Sequence, residues 1–192
     1  MSDRFISDRQ PEHPPRSPAG SSDAKSLASL LFLREEEIRL AQDLLFFAYR
    51  DFTNAADRVL TELRLGRAHH RALHFIGRNP GISVSELLAI LRITKQSLAR
   101  VLSALISGGY VVQTPGRSDR RRRRLTLTPA GSSLERQLFE RQRERLAGAY
   151  REAGGTAVEG FRRVMRGIMG KDAQAYMDGA ERAAREPHAR PA

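Results

Sequence analysis

Cysteine is absent from the 192-residue chain, which excludes disulfides, thiolate metal centres, thiol nucleophiles and cysteine-based redox sensing. Long apolar runs are also missing. The longest, Leu27 to Leu33, is too short to cross a bilayer, and the polar, proline-bearing N-terminus lacks the layout of a secretory signal, so a cytoplasmic protein with no membrane partner is expected. No glycine-rich phosphate loop, Gly-x-Ser-x-Gly elbow or His-Glu-x-x-His pattern occurs. Glu35, Glu36 and Glu37 read as solvated charge at a helix start, so neither an enzyme nor a cofactor is expected. Acidic residues are the scarce charge. Only 22 Asp and Glu stand against 33 Lys and Arg, a net charge of +11 that favours a partner carrying dense negative charge.

The chain is long enough for one sizeable core, shared or not with a second subunit, and too short for two large independent domains. Residues 1–24, with Pro11, Pro14, Pro15 and Pro18 among Ser, Asp and Arg, read as a disordered leader, and residues 181–192 as a disordered tail. Between them the apolar spacing is mainly helical. Residues 25–65 carry a long apolar face (Ala41, Leu44, Leu45, Ala48, Phe52, Ala55, Ala56, Val59, Leu60 and Leu63). Its breadth suits burial against a second chain as well as it suits a plain core helix. A helix over residues 67–78 stops at Asn79-Pro80-Gly81, where proline and glycine break it.

The most specific stretch follows. Ser83-x-x-Glu86 is a capping box that opens a short helix through Ile90. Thr94 caps the next helix, whose Leu98, Val101, Leu102 and Leu105 define a buried side. Gly108-Gly109 ends it. Two β-prone runs, Tyr110 to Thr114 and Leu125 to Thr128, then flank a loop holding the arginine run Arg120 to Arg124. Two helices, a hairpin and a cationic loop in this order are the parts of a winged helix-turn-helix over residues 66–128. The fold class expected is mainly α with a small β-hairpin wing, the winged domain inserted in a helical dimerisation lobe. Residues 129–180 supply the second part of that lobe: a charge-rich helix from Thr128-Pro129 toward Ala153, then a last helix opened by Gly154-Gly155 and the capping box Thr156-x-x-Glu159.

The side of the second helix opposite its apolar residues is centred on Gln96, Arg100 and Ser103, with Thr94, Lys95 and Ser97 at the end a recognition helix inserts into the major groove. Gln and Arg make bidentate contacts to adenine and guanine, whereas Lys95, Ser97, Ser83 and Ser85 suit phosphates. In the wing, Arg117, Arg120, Arg121 and Arg122 suit a narrow, strongly negative minor groove. Asp119 is read as orienting Arg121. The alternative for all these residues is a solvated, nonspecific polyanion-binding surface, as in an architectural DNA- or RNA-binding protein. His70 and His74 lie one turn apart, a spacing that can hold a metal, but with His69 they do not complete a site. Phosphate contact, packing or a pH-sensitive interface is the preferred role, and a metal or haem sensor the remote one.

Ser85-Glu86-Leu87-Leu88, Ile93-Thr94-Lys95-Gln96-Ser97-Leu98, Gly109-Tyr110-Val111, Asp119-x-Arg121 and Leu127-Thr128-x-x-Gly131 resemble the MarR family of bacterial transcription regulators over about residues 34–175. LLFFAYRDFT and GRAHHRALHFI are similar to its PetP-like branch. The resemblance implies a homodimer on double-stranded DNA with a pseudo-palindromic operator, arginines in the minor groove, and a small-molecule effector acting through the junction of the lobes. Regulation is expected to be repression, with activation at some promoters. The leader, the Leu27 to Leu33 segment and the length of the arginine run depart from the commonest form of that family. Leu27, Leu30 and Leu31 are expected to pack on a partner's C-terminal helix.

Overall fold

A computed structural model of the chain describes residues 31–116 and 122–185. A single 3-10 turn, Leu31–Leu33, precedes helix α1, Glu35–Glu62. The chain forms two compact units that divide within α1, after Ala48. In the first unit Leu40, Leu44, Leu45, Phe46 and Phe47 are all exposed, and Arg39 pairs with Glu35 one turn away. The predicted stripe is therefore two surfaces in one helix: only Ala56, Val59 and Leu60, in the second unit, are core residues.

The second unit holds the hydrophobic core. Helix α2, Arg67–Arg78, buries Ala72, Leu73 and Ile76, and the Arg67 guanidinium bonds Asp57 (2.7 Å) and Asn54 (2.6 Å) on α1. Asn79 then turns the chain, its side-chain amide donating to the Phe75 carbonyl (2.8 Å). Helix α3, Val84–Leu91, buries Leu87 and Leu91, and helix α4, Lys95–Ser107, buries Leu98, Val101, Leu102 and Leu105. Each such leucine withdrawn from water contributes about 2 kcal/mol before conformational entropy is counted.

Helix α4 ends where glycine allows the backbone to reverse. Gly109 sits at φ +75°, the Tyr110 amide donates to the Leu105 carbonyl (2.9 Å), and the Gly109 amide donates to Ile106 (3.0 Å), a Schellman closure. Strand β1 is Ile82–Ser83, β2 is Val111–Pro115 and β3 is Arg123–Leu127. They form an antiparallel sheet of order β1-β3-β2, with Ile82 opposite Leu125 and Gln113 opposite Leu125 on the other side. The hairpin is as predicted apart from one or two terminal residues. The third strand, β1, is invisible in the sequence, because two residues carry no alternation to read.

Helix α5, Pro129–Ile168, is capped by the Thr128 hydroxyl, which accepts from the Gly131 amide (2.9 Å). Gly154, at φ +78° and ψ 166°, breaks the helical path inside it, so the Gly-Gly punctuation predicted the kink. Glu159 lies 3.9 Å from Arg162 one turn on. Helix α6, Lys171–Arg185, follows. It corrects the expected boundary at residue 180: Asp178, Glu181 and Arg166 form an ion-pair cluster that ties α6 to the end of α5, and the helix runs on into what read as tail. No described helix is long and apolar enough to cross a membrane.

Candidate nucleic-acid interface

The start of α4 is built by side-chain capping. The Thr94 hydroxyl accepts from the Ser97 amide (3.1 Å) and donates to the Ser97 hydroxyl (2.9 Å). With no acidic residue in its first turn, α4 presents the positive end of its dipole and its free amides without a competing carboxylate, which suits an anion. Lys95, Gln96, Ala99, Arg100 and Ser103 are exposed and Ser97 is half-buried. The four apolar residues of the opposite face hold the helix to the core. The structure thus gathers all six predicted recognition-helix residues on the cap and solvent side of one element.

Strand β3 and α5 lock the wing's base to α4. The Thr128 hydroxyl donates to the Gly109 carbonyl (2.6 Å) and the Thr128 amide to the Tyr110 carbonyl (3.0 Å). Gly131 passes so close that a Cβ there would lie 1.9 Å from the Tyr110 carbonyl oxygen. That approach gives the Leu127-Thr128-x-x-Gly131 pattern its physical meaning: a threonine to bridge the turn and a residue with no side chain beside it.

Arg117, Asp119, Arg120 and Arg121 lie outside the described residues. Arg122 and Arg123 are exposed at the near end of β3. Arg124 is committed elsewhere. Its guanidinium donates to the Gly81 carbonyl (2.9 Å) and lies 3.8 Å from Glu86, pinning β3 to the segment before α3. Nothing in the sequence separates Arg124 from the other arginines, because its role depends on Ser83 being its cross-strand neighbour.

Ser83 departs from the expected phosphate-contacting role. It is buried, its amide donates to the Glu86 carboxylate (2.7 Å) and its hydroxyl accepts from the Glu86 amide (3.2 Å), so both polar groups are consumed by the capping box. The Ser83 hydroxyl and the Ser83 amide beside the Glu86 carboxylate, ahead of nearby Arg124 and Arg122, hold that carboxyl below its usual range. Ser85 is exposed.

The histidines occupy a different face. His69 Nδ1 accepts the Gly66 amide (3.0 Å) and so serves the start of α2. His74 lies 3.6 Å from Glu135 on α5 and stacks edge-on with Phe75. Burial lowers the pKa of both His70 and His74; His74 opposes the charge on His70, and Glu135 partly offsets the effect at His74. Among the described residues no group of three or more His, Asp or Glu is arranged to hold a metal.

A cavity of about 720 Å³ is lined by residues of α2, α3 and α6. Phe75, Ile82, Ile90, Met169 and Met177 make its walls apolar, and Arg92, Arg124, Glu86 and Asp172 stand at its lining with opposed charges. Nothing in the sequence marked this space, since it exists only because α6 folds back beside α2 and α3.

Comparison with known proteins gives a consistent result. A family model described as the MarR family matches residues 65–122. The chain is 52% identical over 141 residues to the HTH-type transcriptional regulator PetP of Rhodobacter capsulatus, an alignment covering 73% of this chain and 85% of that one. A crystal structure of MarR is 25% identical with a TM-score of 0.57, covering 72% of this chain and 92% of that chain. A MarR variant from E. coli crystallised with operator DNA is 20% identical, with a TM-score of 0.57 and coverage of 73% and 99%, and shares the fold.

Proposed function

Because the chain belongs to the MarR family of DNA-binding transcription regulators, we propose that it acts as a homodimer, reading a pseudo-palindromic operator and repressing transcription until a small molecule releases it. The observation that carries the DNA-reading part is the α4 surface: a capped, carboxylate-free helix start followed by exposed Lys95, Gln96, Arg100 and Ser103. Gln96 and Arg100 take base edges in the major groove, while Lys95, Ser97 and Ser85 hold phosphates. Arg117, Arg120, Arg121 and Arg122 enter the flanking minor groove, with Asp119 orienting Arg121. A regulator of chromosomal genes works in the compartment that holds them, so the cytoplasm is its proposed location.

Two further observations support the proposal. The exposed Leu44, Leu45, Phe46 and Phe47 of α1, and the exposed Phe161, Val164 and Ile168 near the end of α5, are more apolar surface than a monomer of this size ordinarily leaves wet. They suit a second copy, with residues 25–65 and 129–180 as the dimer-forming parts around the winged domain. The apolar cavity beside α3 is the proposed seat for the effector, since α2, which lines it through Phe75, also packs against α4.

The test is selection of bound sequences from a random duplex pool at physiological salt. A motif with two-fold symmetry is expected, whereas a nonspecific architectural protein would enrich nothing. Screening metabolites against the selected complex would then identify molecules that dissociate it.

A further inference from the structure

Arg92, between α3 and α4, is one of two non-glycine residues with positive φ among the described residues, at φ 50° and ψ 45°. An L-residue adopts this left-handed conformation at a cost that glycine avoids. The backbone of the turn asks for glycine, so the arginine side chain is held there against local preference. Its guanidinium donates to the Asp172 carboxylate on α6 at 3.1 Å, and both side chains remain largely exposed.

Other contacts hold α6 in place. The Asn79 side-chain amide donates to the Tyr176 hydroxyl (3.1 Å), the Tyr176 ring packs edge-on against Phe75 at 5.7 Å, and the Gln174 amide donates to the Arg166 and Met169 carbonyls. Asp172 is thus presented to Arg92 by a helix anchored elsewhere. Arg92 is two residues from Thr94, the cap of the recognition helix, so its backbone belongs to the turn that leads into α4, while its guanidinium is turned toward Asp172 on α6.

Building on the DNA-reading proposal, we propose that Arg92 is a further phosphate-binding residue and that Asp172 is its internal competitor, a carboxylate standing in for phosphate until DNA displaces it. One guanidinium cannot serve both anions fully, so docking of the first turn of α6 and DNA binding oppose each other. By linkage, whatever loosens that turn favours the bound state.

The full-length protein should be titrated with a mixed-sequence duplex over a range of salt, with melting temperature followed in parallel. Arg92→Gly is expected to keep or raise the melting temperature, since it relieves the left-handed strain. It should also weaken binding and lower the salt slope by about one for each phosphate that is no longer neutralised. Arg92→Gln, which removes charge but keeps a side chain, must show the same reduction in slope; a defect confined to the glycine variant would mean a conformational effect and overturn the proposal. Asp172→Asn should bind roughly two- to fivefold more tightly, the range expected for release of an exposed ion pair. That gain should vanish in the Arg92→Gln background. A gain that persists there, or unchanged binding by both Arg92 variants, overturns the assignment. Failure of the wild-type protein to bind any duplex would instead remove the DNA-reading proposal on which it rests.

Discussion

Gly131 is the residue at which sequence pattern and geometry meet most closely. A β-carbon there meets a backbone carbonyl at 1.9 Å, and backbone cannot swing aside as a flexible side chain can. Gly131→Ala is therefore expected to destabilise the fold by about 2 kcal/mol or more, despite alanine's better helix propensity, as a denaturant melt of the variant would show. Gln96 and Arg100 illustrate the opposite case: their side chains stand in solvent, away from the core that holds α4. Arg100→Ala should leave the melting temperature alone and relax base preference at one operator position. Arg121→Ala should instead weaken binding across all sequences and flatten its salt dependence; identical binding curves for both variants and the wild type would remove both roles.

Helix α2 carries a pH dependence in its partly buried histidines. Burial holds the pKa of His70 and His74 below the value they have in the unfolded chain, so the unfolded state takes up protons first on acidification. Stability from these residues is present above about pH 6.5, the unfolded histidine value, and is lost as pH falls below it. The groups facing them are Asp57 from α1, Glu135 from α5 and Arg78 on α2 itself. Thermal melts from about pH 7.5 down to about pH 5, the range that brackets histidine titration, should show a falling midpoint, with a shallower fall for His70→Gln. An unchanged slope in that variant would place the acid sensitivity elsewhere. The elements themselves were legible because their ends are chemical: Ser83, Thr94 and Thr128 cap helices, and Gly109 and Gly154 interrupt them. Strand β1 and the extent of α6 were not, since a two-residue strand has no period and α6 is tied down by Arg166, Asn79 and Arg92 from elsewhere in the chain.

For the whole molecule, the division of α1 matters most. Its predicted stripe is continuous in sequence, yet Ala56, Val59 and Leu60 are buried while Leu44 and its neighbours face solvent. If the exposed part is covered by a second copy, Leu44→Glu should shift the protein toward monomer in sedimentation and weaken operator binding steeply, because two half-sites would no longer be held together. A variant that stayed fully dimeric would show that this segment is not the interface.

Periodicity, caps and glycine placement determined by themselves that the chain makes a winged helix-turn-helix and which face of α4 is free, since these are properties of neighbouring residues. Tertiary structure alone decided that Ser83 is buried opposite Arg124, that Arg124 braces the sheet rather than joining its neighbours at the surface, and that Arg92 faces Asp172. Each of those outcomes depends on which groups a fold brings within hydrogen-bond reach, and arginines that are alike in sequence differ only in what lies within about 3 Å of their guanidinium groups.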